Sequence, residues 1–99
     1  MKKKDIVNQV YKEAKAMDYV FTKKEVEDIV NLFIANIREA LFDGESVVIQ
    51  GFGNFFIKQM KEKNCRNPKT GEKIFVPSRK VPKFNFGTSL KKEVIESLN

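Results

Sequence analysis

The chain has 99 residues, 41% of them hydrophobic and 32% charged, with a formal net charge of +6 and a pI near 9.5. That length suits one domain, and the basic balance favours an acidic partner, with nucleic acid ahead of an anionic membrane surface. With no histidine and a single cysteine, Cys65, an internal disulfide is excluded, a metal site of the usual ligand types is hard to assemble, and an enzymatic reading finds no paired carboxylates to rest on.

Ile6, Val7, Val10, Tyr11, Ala14 and Met17 recur at helical spacing and predict an amphipathic helix over roughly residues 3–16. Lysines stand where a capping Ser, Thr or Asp would help; Asp5 in the first turn offsets this through the helix dipole. No continuous apolar stretch follows the basic start Met1-Lys2-Lys3-Lys4, so it does not read as a secretory leader, and a reducing, cytoplasmic setting is expected. Asp18–Phe21 is a connector. Thr22-Lys23-Lys24-Glu25 then has capping-box spacing, with Phe21 and Val26 placed as a hydrophobic staple. Val26, Ile29, Val30, Phe33, Ile34, Ile37 and Leu41 make one stripe of a second helix, which Asp43-Gly44 ends. Ser46–Gln50 and Asn54–Gln59 read as strands around a sharp corner at Gly51-Phe52-Gly53. That Gly-x-Gly is not a phosphate loop, because neither a third glycine nor Gly-Lys-Ser/Thr follows it.

The next segment is the most basic. Lys58, Lys61, Lys63, Arg66, Lys69, Lys73, Arg79, Lys80 and Lys83 stand against Glu62 and Glu72, which makes the window 58–83 +7 and everything outside it −1. In its middle, Arg66-Asn67-Pro68-Lys69-Thr70-Gly71 reads as a tight turn at the tip of a two-stranded ribbon. The return strand starts near Lys73-Ile74-Phe75-Val76, and Pro77 and Pro82 belong at a sheet edge or where pairing ends. Thr88 or Ser89 is the expected cap of a last helix carrying Leu90, Val94, Ile95 and Leu98.

Three helices and these strands leave much of the Phe33, Ile37, Phe52, Phe55 and Phe84 set uncovered. A patch of that size marks an interface, and a two-fold dimer that pools both apolar faces is the economical solution.

Three motifs at these spacings, Gly51-Phe52-Gly53-Asn54-Phe55, Arg66-Asn67-Pro68-Lys69-Thr70-Gly71 and Val81-Pro82-x-Phe84-x-x-Gly87-x-x-Leu90-Lys91, resemble the HU/integration host factor family of bacterial DNA-bending proteins, in the same element order over essentially the full length. The resemblance implies an α+β fold and an intertwined dimer, with a helical base, an antiparallel β saddle, long β-ribbon arms and a C-terminal helix. It implies one domain over 1–99, with a helical dimerisation region at 3–43, saddle and DNA-binding arm at 45–84 (arm about 58–77) and the last helix at 88–98. It further implies that the arms follow the minor groove of duplex DNA, and that Pro68 wedges between base pairs, with Arg66 and Asn67 against the groove floor. Lys58, Lys61, Lys63, Lys69 and Lys73 would line the arm against phosphates. Arg79, Lys80 and Lys83 match the arm base and saddle, and Lys91 a basic position of the last helix facing the DNA backbone. The implied role is architectural: nucleoid-associated binding of bent, nicked or flexible duplex with little sequence preference, without catalysis, cofactor or small-molecule substrate. A homodimer is favoured, and a heterodimer with a related chain stays open. Met60 replaces a frequent arginine, Cys65 a frequent glycine and Thr88 a frequent lysine, while Phe56 and Phe75 are more apolar than usual.

Two other functions stay open from the residues. One is a binding module for structured RNA; the other is a sequence-preferring DNA bender that reads deformability.

Overall fold

The computed structural model describes residues Met1–Asn99 as three helices and five strands: α1 (Lys3–Ala16), α2 (Lys23–Phe42), β1 (Val47–Ile49), β2 (Gly53–Met60), β3 (Lys63–Arg66), β4 (Lys73–Val76), β5 (Arg79–Phe86) and α3 (Thr88–Leu98). It divides into two compact units, Met1–Glu39 and Ala40–Asn99.

The first unit is helical. Asp5 Oδ2 accepts the Lys2 backbone N–H at 2.8 Å, which is half of a capping box; the reciprocal half is missing because a lysine side chain has no acceptor. α1 ends in a Schellman motif. Tyr19 N–H donates to the Ala14 carbonyl and Asp18 N–H to that of Lys15, with Asp18 in the left-handed region at φ 65°. The capping box expected at α2 is complete: Glu25 N–H donates to Thr22 Oγ1 at 3.1 Å, and Thr22 N–H donates to Glu25 Oε1 at 2.9 Å. The Thr22 backbone N–H, and after it the Thr22 hydroxyl, hold the Glu25 carboxyl below its ordinary value. Val7 and Val26, at 3% and 4% exposure, are the only buried hydrophobic side chains of the chain. On α2, Ile29 and Phe33 of the stripe and the neighbouring Leu32 stay more than half exposed.

The second unit begins with the end of α2, which also closes as a Schellman motif. Gly44 at φ 77° donates to the Leu41 carbonyl, and Glu45 N–H to that of Ala40. The strands form two sheets, a three-stranded one in the order β1-β2-β5 and the ribbon β3-β4, all antiparallel. The corner between β1 and β2 is Gln50–Phe52, closed by Phe52 N–H to Ile49 carbonyl at 3.0 Å with Gly51 at φ 80°. Gly53, expected in the corner, already pairs with Ile49 and Phe86. It must be glycine, because a Cβ there would run into the Phe84 ring and lie 2.6 Å from the Asn85 carbonyl oxygen.

Phe84 is the hub of the sheet's apolar face. Its ring centroid lies 4.6 Å from that of Phe55, 5.1 Å from Phe86 in an edge-on arrangement and 5.7 Å from Phe52. Pro82 lies in β5, an edge strand, and Pro77 lies where pairing is interrupted. The last helix spans the expected residues but departs from expectation at its cap. Its N-cap is Gly87, not Thr88 or Ser89, and no side chain caps it. Gly87 N–H is committed to the Phe52 carbonyl at 2.8 Å, and a Cβ on Gly87 would meet that same oxygen at 3.3 Å. This anchor holds residue 87 extended and lets the helix begin with Thr88.

Two buried hydrophobic side chains cannot offset the ordering of a 99-residue chain, which costs about 1–2 kcal/mol per residue in backbone entropy alone.

Candidate nucleic-acid interface

Strand pairing decides where the cations point. Side chains of an antiparallel pair alternate between two faces, and residues directly opposite share a face. In the β2–β5 pair, Phe55 opposes Phe84 and Ile57 opposes Pro82, which defines the apolar face. On the other face Phe56 opposes Lys83, Lys58 opposes Val81 and Met60 opposes Arg79. Lys58, Arg79 and Lys83 therefore share the non-core side of the sheet, and all three are exposed.

Pairing then breaks at Lys61–Glu62 and, across from it, at Pro77–Ser78. Pro77 has no N–H to give to a ladder. The ribbon resumes with Lys63 opposite Val76, Asn64 opposite Phe75, Cys65 opposite Ile74 and Arg66 opposite Lys73. Met60–Arg79 and Lys63–Val76 are successive pairs with an equal gap on each strand, so the register is kept across the break. By that parity Arg66 and Lys73 continue the series of Lys58, Arg79 and Lys83. Lys63 falls on the opposite parity with Cys65, Ile74 and Val76, and Lys80 falls beside Gln59 on the side of the apolar face. Lys61 lies in the break itself.

The tip is held by its own hydrogen bonds. Gly71 N–H donates to the Asn67 carbonyl at 2.7 Å with Gly71 at φ 73°, and Asn67 N–H donates to the Glu72 carbonyl at 2.9 Å. Asn67 Oδ1 accepts the Lys69 N–H at 2.9 Å, an Asx turn across Pro68, and Thr70 Oγ1 accepts the Glu72 N–H at 3.3 Å. The Asn67 side-chain oxygen is thus used to shape the turn, while its NH₂ stays available as a donor. Pro68 and Lys69 are exposed at the apex. Lys91 lies on α3, where it borders an apolar hollow with Phe86, Val94 and Ile95.

None of the arm and saddle cations is held in an ion pair; the short pair Lys24–Asp28, at 2.9 Å, lies on α2. The Arg66–Lys73 pair places like charges directly opposite, an arrangement that destabilises a ribbon by itself. Alternation, not composition, separates the basic positions into two groups, and a count of charges along the chain does not reveal it. Three or more metal-ligating side chains gather nowhere in the structure, and no helix is long and apolar enough to cross a membrane.

Comparison with known proteins accounts for this architecture. The family model described as bacterial DNA-binding protein matches residues 1–95. The chain is 40% identical over 95 residues to DNA-binding protein HU of Synechocystis sp., covering 95% of each. It is 46% identical over 72 residues to integration host factor subunit alpha of Pseudoalteromonas atlantica, covering 73% of this chain and 74% of that one. An Anabaena HU–DNA cocrystal structure superposes with a TM-score of 0.78 at 33% identity, over 95% of this chain and 97% of that chain. An HU variant from Thermotoga maritima gives 0.66 at 32% identity, over 95% and 99%. With its α+β order of helices, three-stranded sheet and basic ribbon, the chain belongs to the bacterial DNA-binding protein family of HU and integration host factor.

Proposed function

We propose that this protein is an architectural DNA-binding protein of the bacterial nucleoid. It works in the cytoplasm as a homodimer that clasps duplex DNA along the minor groove and bends it with little sequence preference. The whole chain serves as one HU-like domain, with residues 3–43 as dimerisation base, 45–84 as saddle and arm, and 88–98 as closing helix. It needs no cofactor and performs no reaction.

One observation supports this reading above the others: a series of unpaired cations of one side-chain parity, Lys58, Arg66, Lys73, Arg79 and Lys83, that leads to an exposed proline. Cations supply sequence-independent affinity, and phosphate contacts in a dimer are doubled. A dimer that neutralises about 8 phosphates has a slope of log K on log salt near −7, at about 0.9 per phosphate. Lys61, Lys63, Lys69, Lys80 and Lys91 add charge around that series. Pro68 is rigid and apolar and has no N–H, so placing it between base pairs strands no hydrogen bond of its own. Unstacking costs a few kcal/mol per step in proteins that kink DNA this way, and the added phosphate contacts of a bent duplex offset it. The Asn67 NH₂ and the Arg66 guanidinium are donors, which suits a minor groove whose A·T floor presents acceptors.

The dimer forms through the apolar faces around Phe33 and Ile37 on α2 and around Phe52, Phe55 and Phe84 on the sheet. The half-exposed side chains of both units are the reason to expect it. Sequence-preferring bending is the second reading, favoured by the matches to integration host factor alpha subunits. It predicts at least tenfold tighter binding to a subset of random duplexes.

The test is energy transfer between dyes on the two ends of a duplex of about 35 base pairs. Saturable rise in transfer is expected with the wild-type protein, and Pro68→Ala is expected to lower the transfer at saturation more than the affinity. Binding without any rise would leave a basic coat protein that does not bend its target.

A further inference from the structure

Phe75 is 59% exposed in the middle of the arm, and the residue opposite it is Asn64, which cannot cover a phenyl ring. A large bare aromatic on a two-stranded ribbon invites association unless something covers it. Two residues away on the same strand and face is Lys73, directly opposite Arg66. That face of the ribbon therefore combines two features that are each unfavourable alone: an uncovered ring and a pair of opposed like charges. An anion between Arg66 and Lys73 removes the repulsion. A flat apolar surface over Phe75 removes the exposure. Positions i and i+2 of a strand are about 7 Å apart, so one ligand with an anionic end and a flat end can satisfy both.

We propose that this face of the arm is a seat for an unpaired nucleotide of DNA, with its phosphate between Arg66 and Lys73 and its base stacked on Phe75. The charge selects a polyanion, which favours this occupant over an apolar peptide or a second arm bearing the same charges. The stacking partner must be an exposed base, because the faces of paired bases are covered by their neighbours in the duplex. Gapped or bulged DNA supplies such a base. Base–aromatic stacking is sequence-tolerant and worth about 1–3 kcal/mol per base, or roughly fivefold to 150-fold in affinity. The proposal rests on the DNA-binding reading and adds to it a residue, Phe75, that separates damaged from intact duplex without using the wedge at Pro68.

The experiment compares the full-length protein on two duplexes of one sequence, one intact and one with a two-nucleotide bulge carrying 2-aminopurine. Wild-type protein is expected to quench the 2-aminopurine and to prefer the bulged duplex. Phe75→Leu keeps an apolar side chain but no ring; it is expected to lose the quenching and to reduce the bulged-over-intact preference about tenfold. Phe75→Tyr restores the ring and is expected to restore both. Circular dichroism and the oligomeric state of each variant establish that the fold is kept, as expected for an exposed arm position. Binding of both duplexes with an unchanged preference in Phe75→Leu overturns the inference and leaves the DNA-binding reading standing, as does an equal loss on both duplexes. Failure of the wild type to bind either duplex overturns both.

Discussion

The β2–β5 pair and the β3–β4 ribbon keep one register across the break in pairing but differ in what stabilises them. In the β2–β5 pair one face is an aromatic cluster centred on Phe84, and the cations stand on the other. The ribbon has no aromatic cluster, and Arg66 directly opposes Lys73. A two-stranded hairpin is marginal in water even without opposed charges. The body of the sheet therefore carries the stability, and the arm carries opposed cations that the proposed DNA partner would relieve. Binding surfaces come from the less stable end of a structure for this reason.

Substitutions in the two regions should separate stability from binding. The largest effect is expected at the hub. Phe84→Ala removes the ring that touches Phe52, Phe55 and Phe86 and should destabilise the protein by about 3 kcal/mol, read from urea unfolding and independent of salt. A cost below 1 kcal/mol would show that the cluster is not what holds the sheet. Phe33→Asp places a charge on the exposed α2 stripe and should weaken the dimer by about 3 kcal/mol or more, seen in sedimentation as a shift to monomer. An unchanged dimer would remove that stripe from the interface.

In the arm the pattern should invert. Lys73→Ala is expected to change unfolding free energy by no more than about 0.5 kcal/mol, or to stabilise slightly by relieving the repulsion from Arg66. It should make the salt dependence of DNA binding shallower by about 2, because each protomer then neutralises one phosphate fewer. An unchanged slope would place Lys73 away from phosphate. The smallest effect is a baseline from the helical unit. Thr22→Ala removes a cap and should cost about 1 kcal/mol without altering DNA binding. Glu25 is held below its ordinary value by Thr22. Its contribution is therefore present in full above the carboxylate's unfolded value and lost as pH falls through its lower folded value. In Thr22→Ala that acid-range loss should shrink, as urea titrations at several pH values will show.

Much of this architecture is legible without coordinates. The boundaries of α1, the Thr22–Glu25 box, the Gly44 stop and the return strand at Lys73–Val76 all follow from local rules, because caps, turns and helical periodicity depend on residues a few positions apart. The same rules misassign the cap of α3, not its span. They favour Thr88 or Ser89, but the cap is Gly87, fixed by the Phe52 carbonyl 35 positions earlier in the chain. The resemblance to the HU/integration host factor family implies a groove contact for Asn67. The structure shows its side-chain oxygen already engaged by the Lys69 N–H, so turn formation is one of its roles.

The sequence by itself determined the element order, the localisation of charge on one ribbon and the proline at its apex. Only the tertiary structure decided which cations share a face. Lys63 and Arg66 are three positions apart, as are Lys80 and Lys83, and in the chain nothing distinguishes them. Strand pairing assigns Arg66 and Lys83 to one parity, and Lys63 and Lys80 to the other. The reason is the two-residue period of a strand: a slip of one position in the register would move every cation of the slipped strand into the other group. That register is set by partners about 7–33 residues away, from Arg66 with Lys73 at the tip to Gly53 with Phe86 at the base.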